Sequence, residues 1–252
     1  MIIDHTHPKY LRRWNSLGGG KYNGAYYYSR EIVANIIPNV ETDRNWITVN
    51  LPGTGCDHAI VFIHNNLHPQ NYEWLKEYKD LVLVCGVKST VDKVKHIGKA
   101  IYLPLSIDVS EVEQYRREDR SGVAYAGRPA KRIMQSVKLP SGMAILEGLE
   151  RPVLLSKMAR YETIYAVGRT AIEAKALGCE IGVYDSRYKD PSTWQVLDNK
   201  DAAKILQAEL DKIDGKPNMT WTKAELLQYA DDKGIEVKRA DNKQTILEKL
   251  DV

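Results

Sequence analysis

HAIVFIHN (58–65), LVLVCGV (81–87) and AIYLPLSID (100–108) decide the fold. Each is a short, nearly continuous apolar run that ends in polar or turn residues. That is how a strand buried on both faces reads. Between them lie QNYEWLKEYK (70–79) and STVDKVKHIG (89–98), both with helical spacing. Ser89 is placed to cap the second helix and Gly98 to stop it. The third run breaks at Pro104. Strand, helix, strand, helix, strand predicts a parallel sheet with right-handed crossovers.

A second round of the same alternation follows. GVAYAGR (122–128) is a strand entering a glycine turn, VLLSKMARY (153–161) is helical and TIYAVG (163–168) is a strand. RTAIEAKALG (169–178) is an amphipathic helix stopped by Gly178. CEIGVYD (179–185) is a strand and KDAAKILQAELDKID (200–214) a closing helix. The fold class is therefore α/β: two small Rossmann-like domains, 1–107 and 108–214, joined near Pro104–Asp108. The linker DGKPN (214–218) leads to a helical module, 217–252. Thr220 or Thr222 caps its first helix, with Glu225 three residues after Thr222 in a capping box. Gly234 ends that helix, IEVKRAD is extended, and NKQTILEKL is a second helix.

Composition excludes several classes. Of 252 residues 43% are apolar and 27% charged, which is ordinary for a globular chain and excludes a fibrous or disordered one. No apolar run approaches the ~20 residues of a membrane helix. The start, MIIDHTHPKYLRR, is too polar for the core of a secretory signal. Cys56, Cys85 and Cys179 are scattered and odd in number, which speaks against a disulfide scaffold and for a reducing cytoplasm. Aromatic usage favours Tyr (15) and Trp (5) over Phe (1), a bias toward partly exposed grooves.

The net charge is only +3, but it is unevenly spread. Residues 1–30 carry five cations against Asp4, and residues 115–138 carry seven against Glu118 and Asp119. Both segments contain glycine, at Gly18–Gly20 and Gly127. Glycine lets backbone approach closely and cations neutralise oxygen charge, so the pairing fits a phosphate site; a solvated basic face is the plainer reading.

The second half resembles the nucleotide-sugar-binding half of GT-B glycosyltransferases. The likeness rests on YLPLSID (102–108) as interdomain strand and turn, AYAGRPAKR (124–132) as phosphate turn, and VGRTAIEAKALGCEIGVYD (167–185) as the Glu-containing helix and strand. It covers residues ~80–214. The tail resembles the helix–extended loop–helix (HeH/LEM-like) modules found on some phage proteins.

The resemblance implies transfer of a sugar from a nucleotide diphosphate sugar to an acceptor, a protein among the options, without a metal or other cofactor. Arg128 and Lys131, with Arg132 as alternate, would hold the diphosphate. Gly168, Arg169 and Thr170 would offer a helix start to phosphate. Glu173 would accept the ribose hydroxyls; otherwise it pairs with Arg169 or Lys175 on the helix surface. Gly18, Gly19, Gly20 and Lys21 would form the opposing lip of the cleft, or else an N-terminal loop. His64, at the end of a strand, is the candidate base, with a turn role as the alternative. Many relatives carry a second Glu where this chain has Tyr165. The cluster Asp4, His5, His7 lacks a third spaced ligand, and Asp185-Ser186-Arg187 lacks the second carboxylate of a metal motif, so no metal is expected. The competing class is a catalytically degenerate GT-B-like binding or structural protein of a bacteriophage. In the tail seven cations balance seven acids, which suits docking to a protein better than to nucleic acid. The host cytoplasm is the expected compartment.

Overall fold

The fold was read from a computed structural model, which describes residues 1–4, 24–48, 53, 55–63, 69–127, 139–182, 195–215, 217, 219 and 221–250. Nine strands form two all-parallel sheets among these residues. The first holds β1 (Ile2–Ile3), β2 (Asn45–Ile47), β3 (Ala59–Ile63), β4 (Leu81–Cys85) and β5 (Lys99–Tyr102), in the order 1-2-3-4-5. The second holds β6 (Val123–Ala126), β7 (Ala144–Leu146), β8 (Thr163–Tyr165) and β9 (Glu180–Gly182), in the order 7-6-8-9. The chain is thus α/β with Rossmann-like sheets.

Every residue of β3 and β4 is buried, which explains their unbroken apolar sequence. One face packs Val61, Ile63, Leu83 and Cys85 against Tyr72, Leu75 and Val94. On the other, Trp46 stacks on Phe62 and Tyr28 meets the Phe62 ring edge-on. Tyr28 belongs to α1 (Gly24–Glu31), which runs on through a π-helical turn, Ile32–Ile36.

Several local expectations differ from the structure. The segment expected to be helical at 70–79 is a 3₁₀ helix, Pro69–Glu77. Its buried Tyr72 and Leu75 are three apart, the spacing of one 3₁₀ turn. Helix α2 (Lys88–Val94) starts one residue before Ser89; Val87 occupies the cap position and no side chain caps it. Gly98 is not a left-handed stop. A Cβ there would lie 2.7 Å from the Leu81 carbonyl oxygen, so the residue is needed for close approach of chain to sheet. The third apolar run pairs only as far as Tyr102. Beyond Pro104, Ile107 bridges Asp198 instead.

The second sheet buries Ala124, Ala126 and Ile164 against Leu155 and Met158 of α4 (Arg151–Met158) and Ala171, Ile172 and Ala174 of α5 (Arg169–Ala176). Ile107 and Val112, the latter in α3 (Val109–Glu113), join this core. Compact units divide the chain at Met1–Ala202, which holds both sheets, and Ala203–Val252. The first sheet draws on residues 2–102 and the second on residues 123–182, and both fall in one unit. The boundary with the second unit lies within α6 (Asn199–Ile213).

In the second unit, α7 (Lys223–Asp232) has the complete capping box of Thr222 and Glu225. Asn242 caps α8 (Lys243–Lys249) by accepting from the Thr245 amide at 2.9 Å. Leu226, Ala230, Ile246, Leu247 and Leu250 form their shared core.

Candidate functional site

Strand order locates the site. The chain enters the second sheet at β6, adds β7 on one side, then crosses to add β8 on the other. The strand order therefore reverses between β6 and β8, and ligands of open parallel sheets bind at such a reversal, beyond the carboxyl ends of the strands. The turn after β6 begins at Gly127; the turn after β8 is Ala166–Gly168 and opens α5. Gly168 has φ +63 and ψ −143, a conformation available to glycine and hardly to other residues. No side chain caps α5. Its first amides are free of intrahelical partners by the geometry of any helix start.

Behind this helix start lies a buried ion cluster. Arg169 and Glu173 sit one turn apart, and Arg169 Nε donates to Glu173 Oε1 at 2.9 Å. Arg151 Nε donates to the same oxygen at 3.0 Å, and Arg151 Nη1 forks onto Glu111 at 2.7 and 2.6 Å. Glu31, at the end of α1, completes the cluster. Its Oε1 pairs with Arg169 Nη2 and lies 3.0 Å from Arg151 Nη2. Its Oε2 accepts from Asn199 Nδ2 at 3.0 Å and from the Asp108 amide at 3.3 Å. Three carboxylates face two guanidinium groups.

Four of the five charged members are nearly dry, and Glu111, its side chain 41% exposed, is the wet edge of the cluster. Glu31 and Arg151 are each 8% exposed, Arg169 is also 8%, and Glu173 is 4%. Burial opposes the charge on Arg151, but Glu173, Glu111 and Glu31 outweigh it and hold the guanidinium well above its ordinary value. Burial likewise raises the Tyr28 hydroxyl far above its usual range, against the pull of Arg169. Three polar atoms in the cluster, Arg151 Nη2, Arg169 Nη1 and Asn199 Oδ1, are buried without a hydrogen-bond partner among the described residues, although Arg151 Nη2 is within ion-pair distance of Glu31. Both Arg contacts to Glu173 fall on Oε1; its Oε2 has no partner among the described residues.

Of the residues expected from sequence, Gly168, Arg169, Thr170 and Glu173 stand together at the start of α5. Glu173 does pair with Arg169, yet in the interior rather than on the helix surface. Arg128, Lys131, Arg132, His64, Gly18, Gly19, Gly20 and Lys21 lie outside the described residues. Sequence reading missed Glu31, Glu111, Arg151 and Asn199. Glu31 and Arg169 are 138 positions apart, and no periodicity links them. No group of three or more His, Cys, Asp or Glu able to hold a metal occurs among the described residues. No described helix is long and apolar enough to cross a membrane.

No protein-family model, curated protein or solved structure matches the chain.

Proposed function

We propose that the chain is a metal-independent, GT-B-type glycosyltransferase that binds a nucleotide diphosphate sugar at the β6/β8 crevice. The observation that carries this reading is the reversal of strand order at β6/β8 beside the uncapped, glycine-led start of α5. Amides of Arg169 and Thr170 would face the diphosphate. Arg128, Lys131 and Arg132, encoded just after the Gly127 turn, would neutralise its oxygens. Glu173 Oε2 would accept a ribose hydroxyl while Arg151 and Arg169 orient the carboxylate through its Oε1. The acceptor hydroxyl would attack the anomeric carbon as the nucleoside diphosphate leaves with the bonding pair, and His64 would take the hydroxyl proton. The acceptor is a protein or another hydroxyl-bearing molecule, and the helical module would dock a protein partner.

A second reading is favoured by one observation: Arg169 and Glu173 are both engaged in a buried cluster. On that reading the crevice binds a nucleotide without turning it over, as a degenerate binding or structural protein would.

A panel of nucleoside diphosphates and nucleotide sugars tests both. Binding at 100 times Kd stabilises the fold by about 2.7 kcal/mol and raises Tm. A Tm rise with hydrolysis of one donor supports transfer; a rise without hydrolysis supports the binder. A flat response across the panel refutes the crevice as a nucleotide site.

A further inference from the structure

The opposite end of the first sheet carries a second charged cluster, outside any ligand crevice. Three turns lead into β2, β3 and β4, and they bring Asp43, His58 and Asp80 together. His58 Nδ1 lies 2.6 Å from Asp80 Oδ2, and His58 Nε2 lies 2.9 Å from Asp43 Oδ1. Arg44, 4% exposed, donates through Nη1 to Asp80 Oδ2 at 3.0 Å and to the Asp80 carbonyl at 3.1 Å. Among the described residues the other charges at this end are Glu41, Asp57, Lys79 and the Met1 amino group, which acts on Cys56 beside Asp57; the Lys79 amide donates to Asp57 Oδ1 at 2.7 Å.

An ionised carboxylate oxygen can only accept a hydrogen bond. Both ring nitrogens of His58 meet such oxygens, so both must carry hydrogen, and the ring in this geometry is an imidazolium. Loss of one proton would leave a nitrogen lone pair facing a carboxylate. The backbone is unusual at the same place: His58 and Asp80 have φ of +53 and +49, and neither is glycine. Such angles persist where surroundings over-determine them. His58 also ties the turns through its backbone, its carbonyl accepting from the Asn45 amide at 2.9 Å and its amide donating to the Lys79 carbonyl at 3.0 Å.

We propose that His58, clamped between Asp43 and Asp80, is a proton-operated clasp that holds the amino end of the five-stranded sheet closed at neutral and acid pH and releases it as pH rises. Its two carboxylates raise the imidazole above its ordinary value, and the imidazole lowers both carboxylates below theirs. The side chain is 41% exposed, so protons exchange with solvent without unfolding. The sign follows from the raised value. The stabilisation is fully present below the unfolded His value near 6.5 and disappears as pH rises through the folded one. A separate acid limb appears only where Asp43 and Asp80 protonate, below their ordinary value.

The test compares the full chain with His58→Asn, because Asn tolerates left-handed backbone but carries no charge. Titration of the His58 ring by NMR should give a midpoint above 6.5. The Tm of the parent should exceed that of the variant by about 2–4 °C at pH 6. That difference should vanish above the measured midpoint, with protection of the Asn45 and Ala59 amides falling in parallel. A midpoint at or below 6.5, or the same Tm–pH curve for both chains, overturns the proposal. Should His58→Asn fail to fold, Asp43→Asn removes one of the two ring partners from an exposed position. The His58 midpoint must then drop toward 6.5, and an unmoved midpoint overturns the clasp.

Discussion

The two sheets are built from the same alternation of strand and helix, yet they differ in what they can do. Among the described residues the first grows in one direction, 1-2-3-4-5, with no reversal of strand order of the kind that marks a ligand crevice. Its charged residues gather at the amino ends of strands, where His58 is 41% exposed on its side chain. The second reverses between β6 and β8, and its charged cluster lies behind the start of α5, buried except at Glu111. Alternation alone therefore makes a scaffold. The order in which strands are added makes a site, and burial decides whether ionic contacts are worth much or little.

That contrast can be broken most directly at Arg151. Arg151→Ala strips a partner from Glu31, Glu111 and Glu173 at once and leaves two buried carboxylates sharing the single guanidinium of Arg169. A loss of about 3–5 kcal/mol is expected in denaturant unfolding. A change below 1 kcal/mol would show that the cluster is solvated in practice. Next in size are Arg128→Ala and Lys131→Ala, each expected to weaken nucleoside diphosphate binding by about 1.5–3 kcal/mol, with less effect on the nucleoside. Calorimetric titration checks this, and equal affinity in all three proteins would remove the phosphate turn from the site.

Glu173→Gln sharpens the comparison further. It takes one charge from a pair of buried guanidinium groups, so stability should fall by about 1–3 kcal/mol. If Oε2 also meets ribose, donor affinity falls with it. Stability lost with affinity intact would assign Glu173 to the scaffold. The smallest effect belongs to the first sheet's exposed pair of Lys95 and Asp92, 3.1 Å apart with side chains 65% and 76% exposed. Lys95→Ala should change stability by less than about 0.5 kcal/mol.

Legibility followed the same line between local and tertiary causes. AIVFI and LVLVC could be read as strands because burial on both faces leaves an unbroken apolar run. The capping box at Thr222 could be read because its partners are three residues apart. Ile2–Ile3, Asn45–Ile47 and Ala144–Leu146 could not, since two or three residues carry no period. Within the site, Gly168, Arg169 and Glu173 were visible as a helix start and an i, i+4 pair. Arg151 sits beside Pro152 at a helix start, and its sequence neighbours give no sign of its partners. Only the fold brings it to Glu31, Glu111 and Glu173. His58 was read merely as the first residue of a strand. Its role depends on Asp43 and Asp80 from two other turns.

The single bridge at Ile107 has a consequence for how the molecule could be rearranged. Ile107 donates its amide to Leu197 and accepts from the Asn199 amide, both at 3.0 Å. The chain thus departs for the second sheet and returns from it at one point, closing an excursion of about 90 residues. Segments whose ends meet tolerate transplantation and new termini. The second sheet is in that sense a cassette: a different lobe could be grafted at Ile107 and Asp198, or the chain reopened elsewhere, while its entry and exit stayed in register.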